Sequence, residues 1–201
     1  MSAAIAWMGQ PSSDMASMRQ LPNLISCLRI ALVAPLVALL LSGNFEAALW
    51  IGVAAGLSDA LDGFLARHFG WRSRLGSLLD PLADKLLTVA CYVTLAQIGQ
   101  VTWALALLVL ARDAVIVLGA LAYHRIVGGF EAQPSLWSKA NTLGQILFVL
   151  LVLASNAFSF HWQQHGYAWI VAALTVISGA DYIVRWGLRA RNALRARRMP
   201  R

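Results

Sequence analysis

Four aspartates lie in an apolar stretch of the chain at spacings of three and four residues. Residues three or four apart share a face of a helix, so Asp59 and Asp62 line one stripe, and Asp80 and Asp84 line a second. Carboxylates inside a membrane are energetically costly and usually serve a function. Divalent cations are the simplest partners that could neutralise four of them. The spacing therefore predicts a membrane-embedded, metal-dependent enzyme.

The type of the four side chains restricts the metal. Oxygen ligands without His or Cys suit Mg²⁺, Mn²⁺ or Ca²⁺ rather than zinc. The segment between the two aspartate-bearing helices is short, which predicts antiparallel neighbours whose stripes face each other. We expect the four carboxylates to form one cluster in a cavity that is open to the cytosol.

The residues between the acids suit a phosphate ligand. Gly63 and Gly76 allow a close approach to the helix backbone, and Ala66 keeps the same face open. The guanidinium of Arg67 is a natural fork for a phosphate oxygen. A metal pair bridging a pyrophosphate would polarise the phosphorus and stabilise the leaving phosphate. Asp84 is then the candidate base that takes the proton of an attacking hydroxyl.

Composition places the chain in a membrane. It has 201 residues, of which 59% are hydrophobic and 12% charged, and its mean hydropathy is +0.66, whereas a soluble domain is about half apolar and a quarter charged. The net charge of +7 comes from basic residues at predicted helix ends, which favours anionic lipid headgroups rather than nucleic acid as partners. Cys27 and Cys91 lie in apolar segments, which indicates small hydrophobic side chains rather than a disulfide.

The apolar pattern predicts an all-α integral membrane protein with six transmembrane helices, since each span needs about 20 apolar residues. The predicted spans are 23–42, 46–67, 76–98, 101–123, 137–158 and 166–187. Residues 1–20 are expected to form a membrane-surface arm, residues 21–190 the membrane domain, and residues 191–201 a basic cytoplasmic tail.

Lys and Arg predict the orientation of the spans. The breaks at 42–46, 98–102 and 157–166 contain none, whereas the other breaks and the C-terminal tail are basic. By the positive-inside rule, both termini and the aspartates face the cytoplasm. The first eighteen residues carry no Lys or Arg, so we expect no cleaved signal peptide. This pattern is typical of a protein of the bacterial inner membrane.

Residues 59–84 match in full the signature D-x2-D-G-x2-A-R-x8-G-x3-D-x3-D and therefore resemble the CDP-alcohol phosphatidyltransferases. The resemblance implies six transmembrane helices, a dinuclear Mg²⁺ or Mn²⁺ site and a homodimer. It also implies roles for individual residues. Asp59, Asp62 and Asp80 would bind the metals, and Asp84 would act as the general base with a possible metal contact. The CDP moiety would contact the remaining signature positions, namely Gly63, Ala66, Arg67 and Gly76.

Three further segments favour one branch of this family. The stretch from Pro22 to Ile30 resembles the entry of the branch that contains phosphatidylglycerophosphate synthases and eukaryotic-type cardiolipin synthases. The segment from Ser138 to Gln145, which reads S-K-x-N-T-x2-Q, and the pair Arg112-Asp113 are more similar to the cardiolipin synthases. The resemblance thus implies CDP-diacylglycerol as donor and phosphatidylglycerol as acceptor, with glycerol 3-phosphate as the alternative acceptor.

The acceptor phosphate needs positive or neutral polar groups, and Arg29, Arg112, Lys139 and Asn141 are the candidates. Asn141 suits the single negative charge of phosphatidylglycerol, because the dianionic glycerol 3-phosphate would favour a second lysine there. Arg112 could instead form an intramembrane ion pair, and Lys139 could be an anchor at the membrane surface. Asp181 has a local partner in Arg185 and is interpreted as structural. A non-enzymatic alternative is a cation channel or carrier that uses the four acids as its ion site.

Overall fold

The structure is a computed structural model that describes residues 21–69, 76–127 and 135–198, together with the side chains of 27–58, 83–119, 125, 135–189 and 191. The predicted arm at residues 1–20 lies outside the described residues. The described chain forms helices joined by short connections and contains no strand. These helices are α1 (Leu21–Leu41), α2 (Phe45–Phe69), α3 (Gly76–Gln97), α4 (Trp103–Val127), α5 (Leu136–Phe158) and α6 (Gln164–Arg198).

The helices correspond one to one with the six predicted spans. Their ends agree within a few residues except at α6, which continues through the basic segment up to Arg198. At about 1.5 Å per residue, its 35 residues reach about 50 Å, well beyond the roughly 30 Å of a bilayer core. The basic residues after the sixth span therefore extend that helix.

Two helical stretches in the described residues are long and apolar enough to cross a membrane, namely Leu136–Phe158 and Gln164–Arg189. The apolar stretches Cys27–Leu41 and Phe45–Ser58 are shorter. The all-helical architecture is thus confirmed, while the crossing of the membrane by all six helices stays a prediction. Ionisable residues interrupt the apolar runs of α1 to α4, and they lie toward one end of the bundle.

Glycine turns close two of the short connections. Gly43 has a φ of 75°, a left-handed conformation that glycine adopts without strain. Its amide bonds to the carbonyl of Leu40, and the amide of Asn44 reaches back to Leu39, which is the pattern of a Schellman motif. Gly99, with the same φ, ends α3 in the same way. These tight turns make α1 and α2, and likewise α3 and α4, run in opposite directions.

Among the described side chains, the buried apolar core lies in one half of the bundle. It is built from the C-terminal halves of α1, α3 and α5 and the N-terminal halves of α2, α4 and α6, with Leu36, Leu95, Val109, Val152 and Val171 as examples. Because consecutive helices alternate in direction, these halves lie at the same end. Gly52 packs against this core, since a Cβ there would lie 3.5 Å from Leu150 of α5, as expected for a small packing residue. The opposite end carries the buried charged residues Arg29, Arg112 and Asp113.

The order of the helices around the bundle differs from the order along the chain. Extensive packing pairs α1 with α2 and α3, α2 with α5, α5 with α6, and α6 with α4, which in turn meets α3. The described contacts include no extensive α2–α3 pair. The expectation that α2 and α3 are direct neighbours stays a prediction, because the side chains of residues 59–82, at their adjoining ends, lie outside the described part. The short connection between them constrains only their adjoining ends.

Candidate active site

The backbone supports the two aspartate stripes. Asp59 and Asp62 lie in α2, and Asp80 and Asp84 lie in α3. The helical geometry that puts the members of each pair on one face is therefore confirmed. Gly63, Ala66 and Arg67 also lie in α2, and Gly76 is the first residue of α3. The side chains of residues 59–82 lie outside the described part, so the approach of the two stripes to each other stays a prediction.

Asp84 is the one signature aspartate whose side chain is described. Its Oδ1 forms an ion pair with Nη1 of Arg29 in α1. Arg29 is 1% exposed, whereas the Asp84 side chain is 48% exposed. The carboxylate of the candidate base is thus held from its buried side and remains accessible from the other. Arg29, a candidate for the acceptor phosphate, contacts the candidate base in this structure.

A second ion-pair cluster lies beside α3. Oδ2 of Asp113 in α4 is 2.5 Å from Nζ of Lys85. Oδ1 of the same carboxylate is 2.8 Å from Nη1 of Arg112. Asp113 and Arg112 are buried, and Lys85 is partly exposed. One carboxylate therefore forms ion pairs with two basic side chains. The interpretation of Arg112 as an ion-paired residue agrees with this geometry.

Arg112 also ties α4 to the two helices that follow. Its Nη2 donates to the hydroxyl of Ser138 in α5 and to that of Ser178 in α6, both at 2.7 Å. The guanidinium is 4% exposed and engaged by three side chains. Binding of an acceptor phosphate by Arg112 would require one of these contacts to open. We interpret Arg112 as the residue that joins α4, α5 and α6 at the polar end.

We expect Arg112→Met to destabilise the protein by about 3 kcal/mol or more, because it leaves the buried Asp113 with fewer partners and two serines without their donor. Thermal unfolding of the purified protein in detergent measures the change. Arg185→Met is the matched control, since it removes an ion pair to Asp181 whose arginine is 54% exposed. A pair of that kind contributes about 1 kcal/mol at most. Equal losses in both variants would contradict the assignment.

Asn141 lies in the interior between α5 and α6. It is fully buried, and its Oδ1 is 2.9 Å from the hydroxyl of Thr175 in α6. That hydroxyl is also 2.7 Å from the carbonyl of Val171, and Nε2 of Gln145 lies 3.4 Å from it. The Nδ2 of Asn141 has no hydrogen-bond partner among the described residues. A direct contact between Asn141 and an acceptor would need this helix pair to open.

Lys139, by contrast, is exposed. It lies with Ser138, Thr142, Leu143 and Ile146 on an open cavity of about 350 Å³. Ser138 thus lines the cavity and at the same time accepts a hydrogen bond from Arg112. Of the four acceptor candidates, Lys139 is the one that the structure places on an accessible cavity within the described residues.

A smaller apolar cavity begins one helical turn after Asp84. Its volume is about 50 Å³, and it extends from Thr88 toward Leu36, Val149 and Leu153. Ile146 lines this cavity as well as the open one at Lys139. The two cavities therefore meet at Ile146 of α5.

The described contacts form a polar layer across the bundle. Ion pairs join α1 to α3 and α3 to α4, and the hydrogen bonds of Arg112 extend the layer to α5 and α6. A site made of carboxylate oxygens fits a hard divalent cation by the chemistry of its donors. The described side chains include no group of three potential metal ligands. The fit of the site to a divalent cation therefore rests on the aspartates of the signature.

Sequence reasoning assigned no role to several residues of this layer. Lys85 and Ser178 were not predicted as partners, because they are 28 and 66 residues from Asp113 and Arg112, the residues that they contact. The signal that could have found them is charge balance. A buried arginine next to an aspartate in an apolar helix indicates that both have further partners. The pair Asp181–Arg185, 2.6 Å apart, was predicted correctly from its spacing.

The sequence model of the CDP-alcohol phosphatidyltransferase family matches residues 19–179. Human cardiolipin synthase (CMP-forming) is 32% identical over 185 residues, which cover 83% of this chain and 61% of that protein. This chain thus spans about three fifths of the length of that relative.

Relatives that are named for another activity are about as similar. A probable phosphatidylglycerophosphate synthase of Mycobacterium tuberculosis H37Rv is 29% identical, with 85% of this chain and 83% of that protein covered. The CDP-diacylglycerol–glycerol-3-phosphate 3-phosphatidyltransferase of Pseudomonas fluorescens is 33% identical, with 81% and 88% covered. The match of the family model over most of the chain, together with a complete signature on α2 and α3, shows that the chain belongs to the CDP-alcohol phosphatidyltransferase family.

Proposed function

We propose that this protein transfers the phosphatidyl group of CDP-diacylglycerol to phosphatidylglycerol, releasing CMP and forming cardiolipin. The observation that carries the proposal is the complete signature between Asp59 and Asp84 on two helices of a chain that belongs to the family. Family membership supports an enzyme rather than a cation channel or carrier.

In the proposed mechanism, Asp84 accepts the proton of the attacking glycerol hydroxyl. The hydroxyl oxygen then attacks the phosphorus that bears the diacylglycerol, and the bond to CMP breaks. Arg29 orients the carboxylate of Asp84 from its buried side. Arg67 would hold a phosphate oxygen of the donor, and Gly63, Ala66 and Gly76 would leave room for the CDP moiety.

Asp59, Asp62 and Asp80, with a possible contribution from Asp84, would hold two divalent cations, Mg²⁺ or Mn²⁺. Bound there, the cations would neutralise the pyrophosphate charge and polarise the phosphorus. A site with only oxygen donors favours these metals over zinc.

Two observations support a lipid acceptor. The cavity at Lys139 offers one ammonium, which suits the single charge of a phosphodiester. Ile146 also lines the small apolar cavity one helical turn after Asp84, so apolar side chains adjoin the Lys139 cavity. Glycerol 3-phosphate is the second candidate acceptor. The relative from Mycobacterium tuberculosis is named a probable phosphatidylglycerophosphate synthase, and the relative from Pseudomonas fluorescens a glycerol-3-phosphate 3-phosphatidyltransferase.

The proposal includes the setting of the reaction. The six helices would all cross a membrane, with both termini and the polar layer on the cytoplasmic side, as the positions of Lys and Arg indicate. The protein would lie in a bacterial inner membrane and would form a homodimer. The basic continuation of α6 up to Arg198 would lie at the anionic cytoplasmic surface.

The deciding experiment measures CMP release by the purified protein with CDP-diacylglycerol and Mg²⁺ or Mn²⁺, using phosphatidylglycerol and glycerol 3-phosphate in parallel. We expect turnover with phosphatidylglycerol and cardiolipin as the lipid product. Turnover with glycerol 3-phosphate but not with phosphatidylglycerol would make glycerol 3-phosphate the acceptor. The assignments of the donor, the metals and the base would be unchanged. A protein that folds and binds CDP-diacylglycerol but releases no CMP with either acceptor would contradict both versions.

A further inference from the structure

A lysine occupies an unfavourable position beside the candidate metal site. Lys85 follows Asp84 directly, one residue beyond the stripe that Asp80 and Asp84 share on α3. A lysine ammonium is a compact charge on a flexible stem and pairs readily with carboxylates. Free to move, it would compete with a divalent cation for these oxygens.

The structure holds Lys85 on another side of α3. Its ammonium is 2.5 Å from Oδ2 of Asp113 in α4, whereas Asp84 contacts Arg29 in α1. Adjacent helical residues point about 100° apart, so Asp84 and Lys85 face different neighbouring helices. The Lys85 side chain is 38% exposed and is therefore not confined by packing alone. Its ammonium forms an ion pair with Asp113.

Asp113 is well placed for this task. Its side chain is 7% exposed, and Arg112 contacts its other oxygen at 2.8 Å. Arg112 is itself held by Ser138 and Ser178. The carboxylate is thus fixed by a buried residue that is anchored to two further helices, and it presents Oδ2 to Lys85. The loss of the Asp113 charge would release the lysine but leave Arg112 with its two serines.

We propose that Asp113 is a positioning residue that retains the Lys85 ammonium on the α4 side of α3, away from the carboxylates that bind the divalent cation. The inference rests on the metal site of the proposed function and assigns a role that the signature does not contain. Asp113 acts through Lys85 and contacts neither substrate nor metal.

The test measures Mn²⁺ binding to the full-length protein in detergent, without substrates, by the electron paramagnetic resonance signal of free Mn²⁺. We expect Asp113→Asn to raise the Mn²⁺ concentration for half-saturation about tenfold, because a unit charge a few ångströms from the carboxylates acts strongly on a bound cation. The double variant Lys85→Met/Asp113→Asn should return to within about twofold of the wild type. In the double variant Arg112 has still lost Asp113, so the comparison isolates Lys85.

Two controls separate positioning from general effects. Asp181→Asn removes another ion-paired carboxylate, in α6, whose partner Arg185 is not adjacent to a candidate ligand. It should leave Mn²⁺ binding unchanged and reports the effect of net charge alone. Lys85→Met by itself should also bind Mn²⁺ as the wild type does, since the retained ammonium does not act on the site. This variant keeps the proposal testable if Asp113→Asn does not fold.

The outcomes are distinct. Unchanged Mn²⁺ binding in Asp113→Asn, or an equal loss in the single and double variants, would overturn the role of Asp113 while leaving the proposed function intact. A large gain in Mn²⁺ affinity for Lys85→Met would do the same, because the lysine would then act on the site even in the presence of Asp113. Absence of Mn²⁺ binding by the wild type would overturn the metal site and this inference together.

Discussion

Asp84→Asn is expected to lower kcat by about 10²- to 10⁴-fold, the range that a positioned general base contributes, while binding of CDP-diacylglycerol is retained. Asparagine has nearly the shape of aspartate, and its Oδ1 still accepts a hydrogen bond from Arg29. It cannot take a proton from the acceptor hydroxyl. The variant therefore removes the chemistry with little change in packing. CMP release and equilibrium binding of the donor measure the two effects separately.

The control for this variant is Glu46→Gln, which removes an exposed carboxylate at the start of α2, at the opposite end of the bundle. It should leave kcat and donor binding unchanged. A kcat of Asp84→Asn within threefold of the wild type would exclude Asp84 as the base. Loss of donor binding with loss of rate would instead assign Asp84 to the donor and metal site.

Alanine at Asp59, Asp62 or Asp80 is expected to lower turnover by about 10³-fold or more in each case, because a bound metal contributes several kcal/mol of transition-state stabilisation. Each change removes one oxygen ligand of the proposed metal pair. The Mn²⁺ concentration needed for half-saturation should rise in parallel. CMP release over a Mn²⁺ titration, together with direct Mn²⁺ binding, measures both quantities.

Asp181→Ala is the matched control, because Asp181 is a helical aspartate at the same end whose local partner is Arg185. We expect near-normal turnover and normal Mn²⁺ dependence in this variant. Full activity of any one of the three signature variants would refute the metal assignment for that residue. An equal loss of activity in Asp181→Ala would show that the effect reflects folding rather than metal binding.

The helices were predictable because their signals are local. An apolar run of about 20 residues defines a helix whatever its neighbours are, and Gly43 and Gly99 mark turns through their own backbone preference. Only α6 was predicted too short, since its basic end lacks the apolar pattern from which spans are recognised. The two stripes of aspartates were predictable for the same reason, because spacing within one helix determines which residues share a face.

The contacts between helices were not predictable in this way. Arg29 and Asp84 are 55 residues apart, and Arg112 and Ser178 are 66 apart. Their pairing depends on which helices become neighbours, and α1 packs against both α2 and α3 although only α2 follows it in the chain. Both Arg112 and Arg29 were therefore candidates for an acceptor phosphate, with an ion pair as the alternative for Arg112. The structure engages both with protein side chains.

The sequence by itself determined the helices, the two carboxylate stripes and the family, because each depends on residue types at fixed local spacing. The tertiary structure decided which basic side chains are paired with carboxylates and which remain accessible. It pairs Arg29 with Asp84 and Lys85 with Asp113, and it leaves Lys139 exposed on a cavity. The physical reason is that a buried charge must find a partner, and the packing order of the helices determines which partner is within reach.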